Sequence, residues 1–314
     1  AARFSEQALI PYRYKGNVYA LPLTENFPVL FYRTDIFNEL GLKPPRTWEE
    51  FYKVLNVLQR NNMTAGIPNM TSGQMAANTS IYLMLLYQMG GNLYNKNQNA
   101  THLSEPGAIE AFDMWTGFYS KQSLPAQYTF FQRFRTGEMP IALESYTSYN
   151  MLEVAAPELK GLWAMAPIPG LEQADGSIKN TAVASGTCAV MLQNSQNKDA
   201  AFRYLDWFTS TDAQVQYGLE IEAVLGSAGR YDTANMQAFE GLPWNTAQAA
   251  IIRNEWQGIV EIPQIPGSYY LDRCLTNAFR KTVYSNKNPR ETLLSYDREL
   301  NAEIQRKREE FHLD

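Results

Sequence analysis

Three motifs decide the fold: YKGNVYALP at residues 14–22, LFYRTDIF at 30–37 and PPRTWEEF at 44–51. The first two motifs are rich in β-branched and aromatic residues and flank the polar run 24–26, which predicts a strand, a loop and a second strand. In the third motif, Thr47 and Glu50 have the spacing of a capping box at the start of a helix. The apolar residues at helical spacing predict one core face for this helix: Trp48, Phe51, Val54, Leu55 and Leu58.

Strand-like and helix-like segments alternate along the rest of the chain. Glycines, prolines and polar turns mark their ends. The further predicted helices are 81–89, one that follows Pro106, one that buries Phe202, Leu205 and Phe208, one from Thr211 that stops near Gly218, and an amphipathic C-terminal helix at 289–311. The further predicted strands are 141–143, 162–166 and a buried strand at 188–192. This alternation predicts an α/β architecture.

The composition is that of a folded globular protein. The chain has 314 residues, of which 45% are hydrophobic and 19% charged. Two lobes are expected, because single cores stop growing at roughly 250–300 residues. The net charge of −5 is spread along the chain without a basic stripe, so nucleic acid is not an expected partner. The longest apolar runs are far shorter than the roughly 20 residues that span a bilayer.

Histidine and cysteine, the usual ligands of zinc and other transition metals, are scarce. The two histidines, His102 and His312, give poor support to metal sites and to Ser/His/Asp or Cys/His triads. The two cysteines, Cys188 and Cys274, lack metal-ligand spacing and are interpreted as buried thiols, with a disulfide as the alternative. The sequence contains no phosphate-binding or dinucleotide-binding glycine motif. We therefore expect neither a metal nor a cofactor.

Several of the 19 tyrosines lie in polar surroundings, notably Tyr146 and Tyr149 in the run ESYTSYN and the pair Tyr269-Tyr270 after a Pro-Gly-Ser turn. A tyrosine offers a flat apolar face to a sugar ring and a hydroxyl group to its rim. These residues are therefore candidate ligand contacts, and partly buried core tyrosines are the alternative.

A glycosidase would need two carboxyl groups at a defined separation across the fold. Glu144 and Asp272 lie near aromatic residues and are the candidates. Sequence spacing does not measure that separation, so surface or structural carboxylates remain the preferred interpretation.

The order and spacing of the three opening motifs resemble those of family 1 extracellular solute-binding proteins, which serve carbohydrate ABC transporters. Further matches continue along nearly the whole chain: MGG at 89–91, FRTGEMPIA at 134–142, APIPG at 166–170 and the segment 199–210.

The resemblance implies an α/β, two-lobe fold of the periplasmic-binding-protein type II-like class, in which the lobes close on a ligand. Carried over by position, the crossovers between lobes fall at 24–27 and 182–187, with a third near 226–227. The implied first lobe comprises residues 1–25 and 184–227, and the implied second lobe comprises 26–183 and 228–314.

The resemblance also implies a ligand cleft lined by polar and aromatic groups. The expected ligand-binding residues are Glu25, Asn26, Asn78, Ser80, Glu144, Tyr146, Tyr149, Ser185, Gly186, Tyr269, Tyr270 and Asp272. Where the maltose-binding member of the family has an aromatic residue, this chain has Ser80. That difference argues against a binding site equivalent to that of the maltose-binding member, so the identity of the sugar is not predicted.

Members of the family normally begin with a strand-helix-strand-helix unit, and nothing before Tyr12 supplies one here. We therefore expect a first lobe that is incomplete at its N-terminus and exposes apolar surface. The opening residues Ala1-Ala2-Arg3 do not form an export signal, so that signal is expected outside this chain.

The resemblance implies a monomeric receptor, periplasmic or lipid-anchored at the cell surface, that captures a sugar or oligosaccharide and delivers it to the permease subunits of an ABC transporter. It implies binding without catalysis. Two alternatives stay open: a carbohydrate-active enzyme, such as a hydrolase or lyase, and a sensory module that no longer serves transport.

Overall fold

The computed structural model describes residues 3–69 and 77–313, which fall into two compact units. The first unit consists of Ala1–Val29, Glu144–Pro167 and Ala182–Pro263, and the second of Leu30–Leu143, Ile168–Thr181 and Gln264–Asp314. The first unit includes residues 144–167 and 228–263, which the resemblance assigns to the second lobe. Phe27 links both segments to the first unit. The centroid of its ring lies 5.0 Å from that of Tyr146 and 5.9 Å from that of Trp256. The division into lobes itself stays a prediction.

Short strands and longer helices alternate along the described chain. The strands are β1 (Arg13–Tyr14), β2 (Asn17–Val18), β3 (Leu21–Pro22), β4 (Pro28–Arg33), β5 (Ala65–Gly66), β6 (Ile141–Ser145), β7 (Trp163–Ala166), β8 (Leu171–Glu172), β9 (Ile178–Lys179) and β10 (Cys188–Ala189). The helices are α1 (Thr34–Glu39), α2 (Trp48–Arg60), α3 (Thr79–Gln88), α4 (Pro106–Ser120), α5 (Phe130–Arg135), α6 (Ser148–Ala155), α7 (Lys198–Phe208), α8 (Thr211–Leu225), α9 (Met236–Phe239), α10 (Thr246–Gly258), α11 (Leu271–Val283) and α12 (Pro289–Glu310).

The first unit is organised around an extended segment that follows the β1–β2 hairpin. β3 pairs antiparallel with β10, and antiparallel bridges then join Thr24 to Thr233 and Asn26 to Ser185. A parallel bridge joins Val183 to Val260. These backbone pairings hold four chain segments side by side, although the segments are far apart in sequence.

The second unit combines parallel strand pairing with a helical core. β5 pairs parallel with β6, which lies between β5 and β4. The predicted cap of α2 is confirmed: the Thr47 side chain accepts a hydrogen bond from the Glu50 amide at 3.2 Å. All five residues of the predicted core face of α2 are buried, as its spacing indicates.

Aromatic side chains from α3, α4 and α11 fill a second part of this core. Trp115 packs at 5.9 Å from Tyr82 and at 4.7 Å from Phe279, and both partners are wholly buried. Helix α12 adds Leu293, Leu300 and Ile304, so the predicted apolar face of the C-terminal helix is confirmed.

Two predictions of burial were wrong. None of the residues of α7 is buried, and Phe202 is 57% exposed. β10 ends at Ala189, and Leu192 beyond it is 71% exposed. Helical or strand spacing determines which side chains share a face, but burial requires a second surface packed on that face.

Helix α8 does not stop at Gly218 but continues to Leu225. A Cβ atom at residue 218 would lie 2.5 Å from Cδ2 of Leu242. Gly218 is therefore a point of close packing inside the helix, and the true end is Gly226, whose φ is +63°.

Both cysteines are free thiols. Cys274 is buried, as predicted, whereas Cys188 is only half-buried because it lies on the two-stranded β3–β10 sheet. In the ranges 3–69 and 77–313, no helix has both the length and the apolar composition to cross a membrane.

Candidate functional site

The predicted site residues are divided between the two units. Glu25, Asn26, Glu144, Tyr146, Tyr149, Ser185 and Gly186 belong to the first unit, and Asn78, Ser80, Tyr269, Tyr270 and Asp272 to the second. The structure brings most of them together within each unit. Their contact with a ligand stays a prediction.

Asn26 and Ser185 face each other across an antiparallel bridge in the first unit. The Asn26 amide donates to the Ser185 carbonyl at 2.7 Å, and the Ser185 amide donates back to the Asn26 carbonyl at 2.9 Å. The Ser185 hydroxyl also donates to Oδ1 of Asn26 at 3.3 Å. The backbone thus holds these two polar side chains side by side.

Gly186 follows this bridge at a point of close backbone approach. A Cβ atom at this position would lie 1.9 Å from the carbonyl oxygen of Thr24. The residue must be glycine for this segment to pack, so its first role is structural.

Glu25 is 1% exposed, and its carboxylate accepts a hydrogen bond from Nε1 of Trp256. Burial raises the pKa of Glu25 to about 7, against the opposing effect of the Trp256 hydrogen bond. Burial and the nearby Glu25 carboxyl raise the pKa of Glu261 to about 8. The pKa of Asp232 is also raised, mainly by burial. The first unit thus contains three carboxyl groups that bind protons more tightly than exposed ones.

Tyr146 is wholly buried, and its hydroxyl donates to the carbonyl oxygen of Glu25 at 2.9 Å. Burial raises the pKa of Tyr146 well above its usual range. A ring without an exposed face supports its neighbours instead of offering a stacking surface. Glu144 lies half-buried on β6, two residues before Tyr146.

Tyr149 belongs to a group that we call the aromatic–arginine cluster, formed by Tyr149, Trp163, Arg230 and Trp244. The Tyr149 ring centroid lies 5.8 Å from that of Trp163 and 5.1 Å from that of Trp244. The Arg230 guanidinium lies 5.1 Å from the Tyr149 ring centroid and 5.0 Å from the Trp244 ring centroid. These are cation–π distances, so the arginine holds the two rings together.

Arg230 is itself held by α8 and α6. Its Nε donates to Oε2 of Glu222 at 2.9 Å, and its Nη2 donates to Oε1 of the same carboxylate. Nδ2 of Asn150 donates to the Arg230 carbonyl at 3.0 Å. Burial alone would lower the pKa of Arg230, but the Glu222 hydrogen bonds raise it, so the arginine stays charged.

Three polar atoms in or beside this cluster are buried without a hydrogen-bond partner in the described part of the chain. They are the donors Nε1 of Trp244 and Nη1 of Arg230, and the acceptor Oδ1 of Asn150. A buried polar atom without a partner costs about 1–3 kcal/mol, so such atoms indicate a place where water or a ligand completes the hydrogen bonding.

In the second unit, Asn78, Ser80 and Asp272 meet at the start of α3. The Asn78 side chain caps the helix, accepting from the Ser80 amide at 3.2 Å. Oγ1 of Thr79 donates to Oδ1 of Asp272 at 2.5 Å, which joins α3 to α11. A helix cap therefore brings Asn78 and Ser80 together, and the Thr79 hydrogen bond adds Asp272.

Tyr269 and Tyr270 project beside α12. Their hydroxyl groups donate to Glu303 and to Glu299, respectively. Tyr269 is 64% exposed, so its ring retains an open face. No group of three or more His, Cys, Asp or Glu residues in the described ranges is arranged to hold a metal ion.

The model of the bacterial extracellular solute-binding protein family matches residues 4–215, more than half of the chain. The chain belongs to this family. The predicted family is therefore confirmed.

Solved sugar-binding proteins share the fold of this solute-binding protein. The sugar-binding protein MalE from Xanthomonas citri superposes with a TM-score of 0.80 at 17% identity, covering 100% of this chain and 77% of that one. A solute-binding protein from Thermotoga lettingae, bound with α-D-tagatose, gives 0.74 at 20% identity, with coverages of 96% and 76%. Maltose-bound MalE3 from T. maritima gives 0.75 at 15% identity, with coverages of 95% and 76%. The predicted α/β, two-lobe periplasmic-binding-protein fold is confirmed.

Curated relatives are longer than this solute-binding protein. A Brucella abortus protein named as a binding protein is 26% identical over 226 residues, which are 68% of this chain and 52% of the relative. The chain thus spans about half the length of the curated relatives it matches.

Sequence reasoning missed Trp163, Arg230 and Trp244 of the solute-binding protein. Trp244 follows a proline and precedes Asn245, the N-cap of α10, so an aromatic residue in a helix-opening loop was an available signal. Arg230 had no comparable signal, because its partners lie on α6, on α8 and in the loop before α10.

Proposed function

We propose that this chain is an extracellular or periplasmic receptor that captures a sugar or oligosaccharide and presents it to an ABC transporter. It acts by binding and leaves the ligand chemically unchanged. Its partners are the saccharide and the permease subunits of the transporter, and it works as a monomer.

The observation that carries this proposal is the aromatic–arginine cluster with its unsatisfied polar atoms. Aromatic faces bind the apolar faces of sugar rings, and hydroxyl groups at the rim of the sugar need fixed donors and acceptors. Nε1 of Trp244 is such a donor and Oδ1 of Asn150 such an acceptor. Both residues contact Arg230: its guanidinium lies over the Trp244 ring, and its backbone carbonyl accepts a hydrogen bond from Nδ2 of Asn150.

Membership of the solute-binding family supports the same conclusion. Several proteins with this fold bind saccharides, including tagatose and maltose. The Streptococcus mutans multiple sugar-binding protein is 40% identical over 53 residues, 17% of this chain and 13% of that protein. Within the second unit taken by itself, we propose that Asn78, Ser80, Asp272 and Tyr269 are ligand-contacting residues.

A saccharide panel tests the proposal. The chain should be titrated with mono- and oligosaccharides while its melting temperature is followed, because a ligand that binds only the folded state stabilises it by mass action. At least one saccharide should raise the melting temperature as its concentration rises, with one-site binding by calorimetry. A panel without any shift would contradict the proposal.

The same samples separate a receptor from an enzyme. Chromatography of the saccharide after long incubation should recover it unchanged. Cleavage that disappears in Glu144→Gln or Asp272→Asn while binding persists would establish the hydrolase alternative instead.

A further inference from the structure

The Arg230–Glu222 pair is an ion pair largely removed from water. The Arg230 side chain is 6% exposed and that of Glu222 is 16% exposed. Two parallel hydrogen bonds join them, from Nε and Nη2 to the two carboxylate oxygens. A bidentate pair in such surroundings is strongly coupled, so the carboxylate cancels the charge of the guanidinium locally.

Glu222 therefore determines what the aromatic–arginine cluster can offer a ligand. The guanidinium lies against the faces of both Tyr149 and Trp244. Its third nitrogen, Nη1, is buried and lies outside the pair with Glu222. Nη1 remains a geometrically fixed donor, but the Glu222 carboxylate already neutralises the positive charge of the guanidinium.

A second carboxylate, that of Glu153, interacts electrostatically with Tyr149 of the aromatic–arginine cluster. Glu153 lies one turn after Tyr149 on α6. Burial raises the pKa of Tyr149, the Arg230 charge lowers it, and the Glu153 charge raises it. The charged groups acting on this tyrosine therefore include Arg230 as a cation, with Glu153 and the paired Glu222 as anions. An anionic ligand would lose its hydration here without gaining an uncompensated cation.

From this geometry we propose that Glu222 is a specificity-determining residue that restricts the site to uncharged saccharides and excludes uronic acids. This inference rests on the proposed saccharide-binding function. Neutral hydroxyl groups need only the hydrogen bonds that Trp244, Asn150 and Nη1 of Arg230 supply. A uronate carboxylate would instead need the charge that Glu222 cancels.

Calorimetry with matched sugar pairs tests the inference. The probes are glucose with glucuronate, galactose with galacturonate, and any oligosaccharide from the panel with its uronic-acid counterpart. Wild type should bind the neutral member at least about tenfold more tightly, since placing a charge without a partner costs several kcal/mol. In Glu222→Gln the ratio of neutral-sugar affinity to uronate affinity should fall by about tenfold or more. The gain in uronate affinity should decrease as salt is added.

The matched control is Glu220→Gln, which makes the same change of charge on an exposed side chain of α8. Its affinity ratio should equal that of wild type. The double variant Arg230→Gln/Glu222→Gln restores local neutrality and should return the ratio towards neutral sugars. It also keeps the test available if Glu222→Gln alone fails to fold.

The outcomes distinguish this inference from the proposed function. Saccharide binding with an unchanged ratio in folded Glu222→Gln, or a wild type that prefers uronates, overturns the inference and leaves the receptor function standing. A double variant whose ratio moves towards uronates also overturns it. Failure of every saccharide to bind overturns both.

Discussion

The hydroxyl of Tyr146 donates a hydrogen bond to the backbone carbonyl of Glu25 at 2.9 Å, which joins the loop before α6 to the extended segment before β4. Both residues are buried, and Phe27 lies between them in sequence and packs on the tyrosine ring at 5.0 Å. Tyr146 therefore supports the segment that carries Glu25 and Asn26. Its observed role is to support this segment, and its contact with a ligand stays a prediction.

Removal of this hydroxyl should destabilise the protein. Tyr146→Phe leaves the buried Glu25 carbonyl without its side-chain partner, which should lower the free energy of unfolding by about 1–3 kcal/mol. Urea denaturation monitored by circular dichroism measures the change. Tyr19→Phe, at a residue that is 62% exposed, is the control and should differ little from wild type. An equal effect in both variants would contradict the proposed support.

Stability should fall as the pH rises from about 5 to about 8. A carboxyl group whose pKa is higher in the folded state takes up a proton on folding. Its stabilising contribution is therefore complete below the unfolded value of 4.5 and is lost as the pH rises through about 7 for Glu25 and about 8 for Glu261. The loss for Glu25 should be on the order of 3 kcal/mol.

Denaturation at several pH values in wild type, Glu25→Gln and Glu261→Gln measures this dependence. Each neutral variant should flatten the curve and gain stability at pH 8, because glutamine carries no charge to bury. Glu172→Gln changes an exposed carboxyl group and serves as the control. Stability that increases over this range in wild type would refute the assignment.

Trp244→Ala should weaken saccharide binding by about tenfold to a hundredfold, because it removes both the ring face and the buried indole donor. Trp244→Phe retains a ring and should bind with intermediate affinity. Isothermal titration calorimetry with a saccharide from the panel measures both variants. Trp207→Ala, at a tryptophan on α7 that is 60% exposed, should retain wild-type affinity.

Gly186→Ala should strongly destabilise the first unit. The new Cβ atom would lie 1.9 Å from the Thr24 carbonyl, so the bridge between Asn26 and Ser185 would have to open. We expect a loss of about 3 kcal/mol or more, as for severe overpacking. Thermal unfolding measures the loss. Gly258→Ala, where no heavy atom lies within 4 Å of the added Cβ, should unfold as wild type does.

The sequence accounts well for features that depend on neighbouring residues. The Thr47 cap, the buried face of α2 and the apolar face of α12 were all predictable, because helical periodicity and capping act within a few turns. The family was also recognisable from the order of short motifs, which the family match confirms. Ligand contact by the predicted polar and aromatic residues stays a prediction.

Tertiary structure decided the features that depend on residues far apart in the chain. The apolar residues of α7 share a face as their spacing indicates, yet Phe202 is exposed because burial needs a second surface. Helix α8 continues through Gly218 because Leu242 packs there.

The aromatic–arginine cluster also depends on residues far apart in the chain. Tyr149, Arg230 and Trp244 come from separate segments, and no local pattern marks their meeting. The sequence by itself determined the family and many of the local elements, such as the cap of α2 and the apolar face of α12, since these depend on spacing within short segments. Only the three-dimensional packing decided which side chains are buried and that Arg230, neutralised by Glu222, lies against two aromatic faces, since these depend on contacts between distant segments.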